Sequence, residues 1–170
     1  RRVSNFVGGF SLAAAIAVAA DDEIDQSEVI NAISTLVTKS LLTVDTSQGQ
    51  WRYRLLEVAR AYALERLAES GETNVIARLT AEHFVSIFAP CLDDWTQLSD
   101  AAFDARYMPD LDNLRVVMDW AFGPNGDKQI GLSLTCASGP LWVGPLMISE
   151  CERRFATAFA EVDSQTSPKI

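Results

Sequence analysis

The sequence predicts a mainly α-helical protein that contains one β-hairpin in its first half. Three observations carry this prediction. Of the 170 residues, 48% are hydrophobic, which is enough to bury a core. Apolar residues recur at three- and four-residue intervals over most of the chain, the period of an amphipathic helix. Only residues 41–56 have the composition of two paired strands.

The chain begins with the pattern of two or three short helices. Residues 1–7 are typical of the last turns of a helix. Ser11 is a plausible N-cap for a second helix that runs to Ala20. Asp25 then begins a D-x-x-E capping pattern, and the apolar spacing that follows predicts a third helix over residues 26–39.

A hairpin and a further helix complete the first part. Residues 41–46 are β-prone, the Ser-Gln-Gly run at 47–49 is a turn signal, and residues 51–55 return as the second strand. A helical stripe over residues 57–70 follows without a loop, and Gly71 is placed to end it. The order helix, helix, helix, hairpin, helix is that of a winged helix, so we expect a winged-helix domain over residues 1–71.

After Gly71 the pattern indicates helices only. Prolines stand near the predicted helix ends, where the missing N–H and the fixed φ of proline are tolerated. We therefore expect a second domain over residues 72–170, an antiparallel helical array. Its predicted helices are 73–90, 109–122, 127–139 and 146–162.

Composition excludes several classes of function. The net charge is −9, and neither half of the chain has the surplus of Lys and Arg that binding to nucleic-acid phosphates requires. The longest apolar stretch, residues 11–20, is too short to span a bilayer, so we expect a cytoplasmic protein with no membrane partner. The three cysteines are far apart and the only histidine is His83, a pattern that favours neither a metal site nor a catalytic triad.

Four stretches carry a resemblance to a known family. They are VSNFVGGFSLAAAIAVA at 3–19, VINAISTLVTKSLLTVD at 29–45, YRLLEVARAYALERLAESGE at 53–72 and LDNLRVVMDWAF at 111–122. Their order and spacing resemble the region that follows the nucleotide-binding core of bacterial STAND-class ATPases, the NB-ARC-type transcriptional regulators.

This resemblance implies that the chain is a non-catalytic fragment of a longer regulator. The winged helix would pack on an upstream nucleotide-binding domain. Residues 72–170 would be the truncated start of a tetratricopeptide-like helical sensor region. ATP or ADP would bind in the parent protein, with no cofactor in this fragment. The phosphate-binding pattern G-x-x-x-x-G-K-[ST] is not found in the sequence, so we expect no ATPase activity here and assign no catalytic, cofactor-binding or metal residue.

The strand-to-helix junction departs from the family pattern. Many NB-ARC proteins carry Met-His-Asp there, and the histidine contacts the nucleotide. The matching residues here are Leu55, Leu56 and Glu57. Leucine has no donor for a phosphate, so the resemblance implies no direct nucleotide contact by Leu56, and we interpret both leucines as core residues. Glu57 keeps the acidic type.

Arg52, Arg54 and Arg60 form the only local basic cluster. Together with Glu57 they are the candidate residues for an interdomain or phosphate contact. The alternative is a solvated face that pairs with acidic neighbours. The helix over 26–40 would be the recognition helix of a DNA-binding winged helix, but Lys39 is its only basic residue and acidic residues precede it.

The favoured hypothesis is therefore a regulatory, protein-interacting segment of a STAND-class transcriptional regulator. It would relay the nucleotide state of the upstream core to the helical sensor region, without strong DNA binding of its own. The alternative is a winged-helix DNA-binding transcriptional regulator with a helical effector or dimerisation domain. The sequence identifies neither the inducer nor the target genes.

Overall fold

A computed structural model of the chain describes residues 1–46, 50–143 and 147–162. The chain divides into two compact units, Arg1–His83 and Phe84–Ile170. The predicted domain boundary after Gly71 falls earlier than this division. It stays a prediction, because compactness does not test which part folds independently.

Two capped helices open the first unit, after a short 3₁₀ turn over Arg2–Asn5. Helix α1 (Leu12–Ala19) is capped by Ser11, whose hydroxyl accepts a hydrogen bond from the Ala14 N–H at 3.0 Å. Helix α2 (Gln26–Thr38) begins with the full capping box of Asp25 and its partner three residues on. Both predicted N-caps are confirmed.

The predicted hairpin is present as strands β1 (Leu42–Asp45) and β2 (Arg52–Leu55). They pair antiparallel, with Leu42 opposite Leu55, and the predicted turn at 47–49 lies outside the described residues. Phe10 adds a further bridge on β2, because its N–H and C=O both bond to the main chain of Tyr53 at 2.8 Å. The hairpin therefore follows α2 in the chain and is hydrogen-bonded through Phe10 to the start of α1, as the wing of a winged helix.

Helix α3 (Glu57–Glu69) follows β2 with no intervening loop. Gly71 lies just beyond its end with φ 73°, the left-handed conformation that commonly stops a helix. The core of the first unit is aromatic and aliphatic, and the rings of Phe6 and Phe10 stack 4.9 Å apart. Its other buried members include Val3, Ala14, Val18, Val29, Ile33, Leu42, Leu55, Leu67 and Ile76.

Only helices follow in the described residues. Helix α4 (Thr73–Phe88) contains the division between the two units. The later helices are α5 (Cys91–Gln97), α6 (Asp100–Tyr107), α7 (Leu111–Ala121), α8 (Lys128–Ala137), α9 (Gly139–Trp142) and α10 (Ile148–Ala160). The mainly helical fold with one wing is confirmed, whereas the tetratricopeptide-like type of the array stays a prediction.

The short helices α5 and α6 were not among the predicted helices. They have 7 and 8 residues, about two turns each, which is too short for apolar periodicity to establish a helix. They are fixed by burial instead, since Cys91 and Tyr107 are fully buried. The predicted start of the last helix, at residue 146, lies outside the described residues.

One helical run within the described residues, Thr73–Gln97, passes a length and composition test for a membrane span. Buried side chains at Ile76, Thr80, Phe84 and Phe88 recur every four residues along it. That spacing is typical of the inward face of an amphipathic core helix. The absence of a membrane partner stays a prediction.

Candidate functional site

Helix α2 carries an exposed, uncharged polar face, here called the α2 face. Its buried side is formed by Val29 and Ile33, which are 4% and 3% exposed. The opposite side consists of residues that are polar, uncharged and exposed: Ser27, Asn31, Ser34, Thr35 and Thr38. In a winged helix this second helix of the helix-turn-helix pair is the one that reaches the major groove of DNA.

Several side-chain groups of the α2 face are already hydrogen-bonded within the helix or its cap. Two threonine hydroxyls donate back to the helix: Thr35 to the Asn31 carbonyl at 2.8 Å and Thr38 to the Ser34 carbonyl at 3.0 Å. The Ser27 hydroxyl donates to the Asp25 carboxylate at 2.6 Å. The amide of Asn31 and the hydroxyl of Ser34 are thus the side-chain groups best placed to meet a partner.

The start of α2 is acidic and stays ionised. The Asp25 carboxylate accepts hydrogen bonds from the Ser27 hydroxyl and the Glu28 N–H, and these bonds hold the pKa of Asp25 below its usual value. The N–H of Ile24 and a bond from Arg2 lower the pKa of Asp21 in the same way. Negative charge at this end repels phosphates and opposes DNA binding there.

The basic cluster predicted at the wing is split by the structure into different environments. Arg52 is half-buried, and its guanidinium donates to the Gly9 carbonyl at 2.6 Å. Arg60 is also half-buried and donates from Nε to the Phe6 carbonyl at 2.9 Å. Arg54 is exposed on β2. Two of the three guanidiniums therefore hold the main chain of residues 6–9, and Arg54 is the one turned to solvent.

The strand-to-helix junction separates its two leucines. Leu55 is 7% exposed and belongs to the core, as expected. Leu56 is 44% exposed, so its interpretation as a core residue is wrong. It is the residue that precedes α3, where the backbone turns and no side chain caps the helix. Glu57 is exposed in the first turn, where a carboxylate favours the helix dipole.

An ion-pair network lies in the second unit. The Glu150 carboxylate accepts a two-fold bond from Arg115, at 3.0 and 2.6 Å, and a further bond from the Nε of Arg154 at 3.0 Å. Arg154 also donates to Asp119 at 3.1 Å. The Arg115 hydrogen bond is the main cause that lowers the pKa of Glu150 to about 2. The cations of this network are matched by carboxylates.

Within residues 1–46, 50–143 and 147–162, no three His, Cys, Asp or Glu side chains come together as metal ligands. Burial raises the pKa of the Cys91 thiol to about 12, so this thiol is unreactive at neutral pH. The exposed residues of the α2 face and of the wing both belong to the first unit.

Comparisons with known proteins agree with this geometry. Residues 1–68 match the family model described as a winged helix-turn-helix domain. The chain is 39% identical over 150 residues to proteins of Mycobacterium tuberculosis and Mycobacterium bovis that carry the provisional name HTH-type transcriptional regulator. The alignment covers 88% of this chain and only 17% of each relative.

A further relative is an uncharacterised protein of Mycobacterium tuberculosis. It is 39% identical over 83 residues, which cover 48% of this chain and 21% of that protein. No solved structure matches the chain. The chain therefore contains a winged helix-turn-helix domain and is homologous to a part of much longer proteins named as transcriptional regulators. The narrower STAND and NB-ARC assignment stays a prediction.

Sequence reasoning identified helix α2 but missed the polar, uncharged character of its exposed face. It counted the basic residues of 26–40 and found Lys39 alone. The uncharged α2 face follows from the same sequence once Val29 and Ile33 are taken as its inward side, because the residues half a turn away are then Asn31, Ser34 and Thr38. Periodicity was the signal that could have found it.

Proposed function

We propose that this chain is a segment of a transcriptional regulator and that its winged helix contacts DNA through the α2 face and the wing. The observation that carries the proposal is the exposed, uncharged polar face of α2, in the helix that reads the major groove in this fold. The matched family model over residues 1–68 and the names of the mycobacterial relatives support it.

The proposed contacts follow from side-chain chemistry. The amide of Asn31 has the donor and acceptor pair that matches the major-groove edge of adenine, and the hydroxyl of Ser34 can donate or accept. On the wing, the exposed guanidinium of Arg54 is placed for a phosphate. Because so few cations take part, we expect weak DNA affinity and a shallow salt dependence from this segment alone.

The helices of the second unit would then serve as an effector or dimerisation domain. Two winged helices on one duplex would add their modest affinities through the effective concentration that linkage creates. Because the relatives are much longer than this chain, other parts of the parent protein can supply further contacts. We place the regulator in the cytoplasm.

A second candidate function is favoured by the acidic start of α2. Asp21, Asp25 and Glu28 stand where phosphates would approach, and the chain carries a net charge of −9. In this candidate the winged helix packs on an upstream nucleotide-binding domain of the same protein and relays its ATP or ADP state to the helical region. Arg54 and Glu57 would then be interdomain contacts.

One experiment separates the two candidates. Selection of the folded chain against a pool of random-sequence DNA duplexes, at about 150 mM salt, is followed by fluorescence anisotropy on the enriched sequence. The DNA-binding candidate predicts enrichment, and Asn31→Ala should weaken binding about tenfold. Asn74→Ala is the matched control, since Asn74 is also an exposed helical asparagine but lies outside the α2 face.

A selection that enriches no DNA sequence would reject the DNA-binding candidate. So would an equal loss of DNA affinity in Asn31→Ala and Asn74→Ala. The relay candidate has its own requirement, which is a G-x-x-x-x-G-K-[ST] pattern upstream in the parent reading frame. Its absence there would reject the relay candidate independently of any DNA measurement.

A further inference from the structure

The α2 face exposes methyl groups as well as polar groups. Thr35 and Thr38 are both exposed, and each hydroxyl donates to the carbonyl four residues earlier in the helix, at 2.8 and 3.0 Å. The β-carbon of threonine carries one hydroxyl and one methyl group. Because the hydroxyl donors are used within the helix, the methyl groups are what these two residues leave for a partner.

The two threonines and Asn31 form one stripe along α2. They stand at positions i, i+4 and i+7 and are all exposed, so they lie on the same outer side of the helix. Seven residues of helix rise by about 10 Å, which is about three base pairs at roughly 3.4 Å each. A helix placed in the major groove would thus present one amide and two methyl groups to successive base pairs.

The residue types of α2 favour some base pairs over others. Guanine is commonly read by Arg or Lys, and the helix, QSEVINAISTLVT, contains neither. Cytosine is read by a carboxylate, but the one carboxylate of this helix, Glu28, accepts the Asp25 N–H at 3.0 Å in the capping box. An amide matches the edge of adenine, and a threonine methyl packs on the C5-methyl of thymine. The stripe therefore suits A·T pairs.

The two ends of α2 differ in what they offer to DNA. Asp21 and Asp25 precede the helix, and hydrogen bonds lower the pKa of both carboxyls, so this end repels phosphates. Lys39 is exposed at the other end, where its ammonium suits a phosphate. Residues 31–38 lie towards Lys39. Ile30, which is 40% exposed, borders this part and adds apolar surface to it.

We propose that the DNA site of this winged helix has A·T base pairs at its centre. Asn31 reads the edge of an adenine, and the methyl groups of Thr35 and Thr38 pack on the C5-methyl groups of thymines. This inference rests on the proposed DNA-binding function and adds the base pairs that the site requires. Discrimination then comes from amide and methyl contacts to the bases, which do not depend on phosphate charge.

The first test changes the DNA alone. The duplex enriched by selection from random sequences is synthesised again with each thymine replaced in turn by deoxyuridine, which lacks only the C5-methyl group. Fluorescence anisotropy with the whole chain should show binding about fourfold weaker for thymines at the centre of the site, the equivalent of about 0.8 kcal/mol for one buried methyl.

The second test changes the protein and separates the methyl from the hydroxyl. Thr35→Ser deletes the methyl and should weaken binding about fourfold, whereas Thr35→Val keeps a methyl, deletes the hydroxyl and should leave the affinity unchanged. Thr35→Ser should cost nothing further on the deoxyuridine duplex, because the two methyl groups form one contact. Thr157→Ser is the matched control, since Thr157 is exposed on α10 and its hydroxyl donates to the Arg153 carbonyl at 3.0 Å.

The outcomes distinguish this inference from the function on which it rests. An enriched site with G·C pairs at its centre, or full affinity for every deoxyuridine duplex, would overturn the inference and leave DNA binding in place. Equal effects of Thr35→Ser and Thr157→Ser would do the same. A selection that enriches no sequence would overturn both.

Discussion

The two units of this protein use arginine in different ways. In the first unit, Arg52 and Arg60 donate to the main-chain carbonyls of Gly9 and Phe6. Arg2 donates to the Ala19 carbonyl and also pairs with the carboxylates of Asp21 and Glu72. In the second unit, arginines bond to carboxylates, as Arg115 and Arg154 do with Glu150.

The difference has a cause in the backbone. Residues 6–9 run between the first turn and α1 without a regular ladder, so their carbonyls need side-chain donors. A buried carbonyl without a donor costs on the order of 1–3 kcal/mol, and a guanidinium supplies the bond from a distance. Arg52 and Arg60 therefore stabilise the entry into the winged helix.

In the second unit the need arises from a partly buried acid. The side chain of Glu150 is 15% exposed and that of Arg154 is 9% exposed. Arg154 also lies over the Trp142 ring, 5.2 Å from its centre. A carboxylate held this far from water requires matched cations. The comparison teaches that an arginine cluster in a sequence does not by itself indicate a phosphate site, because structural needs can occupy each guanidinium.

Removing Glu150 should give the largest effect. Glu150→Gln takes away the carboxylate that Arg115 and Arg154 share, and it leaves a buried guanidinium with fewer acceptors. We expect a loss of about 3 kcal/mol in the free energy of unfolding, near the lower end for a broken buried pair because Arg115 is a third exposed. Urea unfolding followed by circular dichroism measures it.

The matched control is Glu82→Gln. Glu82 pairs with Arg78 across one turn of α4, with both side chains about half exposed. A solvent-exposed pair of this kind contributes less than about 0.5 kcal/mol. If the two glutamine variants were equally stable, the network in the second unit would carry no special energy and the comparison would fail.

Acid should weaken both units, through different glutamates. Hydrogen bonds from Arg1 and Arg2 are the main causes that lower the pKa of Glu72 to about 2, and the bond from Arg115 chiefly lowers that of Glu150 to about 2. Both folded-state pKa values lie below the usual value near 4.5. Their stabilisation is complete above that value and is lost as the pH falls towards 2.

The measurement is the urea midpoint as a function of pH. We expect it to fall between about pH 5 and pH 2, and Glu150→Gln should flatten part of that fall because one of the titrating groups is gone. A variant whose pH dependence parallels that of the unaltered chain would show that Glu150 is not held ionised by its arginines.

Local signals predicted much of the first unit. The caps at Ser11 and Asp25, the hairpin at 41–56 and the Gly71 stop are each set by short-range hydrogen bonding or backbone preference, so sequence identifies them. The partners of Arg52 and Arg60 are set by tertiary packing. Each donates to a carbonyl far away in the chain, which no local pattern encodes.

In the second unit, more of the structure depends on contacts that the sequence does not reveal. Helices α5 and α6 are short, and α6 is held by packing against α4, where the rings of Tyr107 and Phe88 lie 5.4 Å apart. The ion-pair network is similarly invisible in the sequence. Arg115 and Glu150 are 35 residues apart in the chain, and so are Asp119 and Arg154. Aromatic and ionic contacts of this kind exist only once the helices have packed.

Removing a main-chain anchor should give a medium effect. Arg60→Met keeps much of the aliphatic length of the side chain and deletes the Nε–H donation to the Phe6 carbonyl. We expect a loss of about 1.5–2 kcal/mol, near the lower end for a hydrogen bond to a charged group, in the same urea experiment. Arg60→Lys should recover only part of it, because an ammonium cannot reproduce the directed Nε–H bond.

Amide exchange identifies where that loss arises. With Arg60→Met, the Phe10 N–H, which bonds to the Tyr53 carbonyl at 2.8 Å, should exchange faster as the 6–9 segment loosens. Unchanged protection at Phe10 with an equal global loss would mean that Arg60 acts through packing alone.

The smallest effect on stability is expected at Arg54. Its side chain is exposed on β2, so Arg54→Gln should change the free energy of unfolding by less than about 0.5 kcal/mol, measured by urea unfolding. If Arg54 contacts a phosphate, the same variant should weaken DNA binding uniformly across sequences and reduce the salt slope by about one. Arg52→Gln should do the reverse, with a loss of stability and little direct change in salt dependence, because its guanidinium is engaged with Gly9. Comparing the two variants would then distinguish Arg52, which stabilises the fold, from Arg54, which contacts DNA.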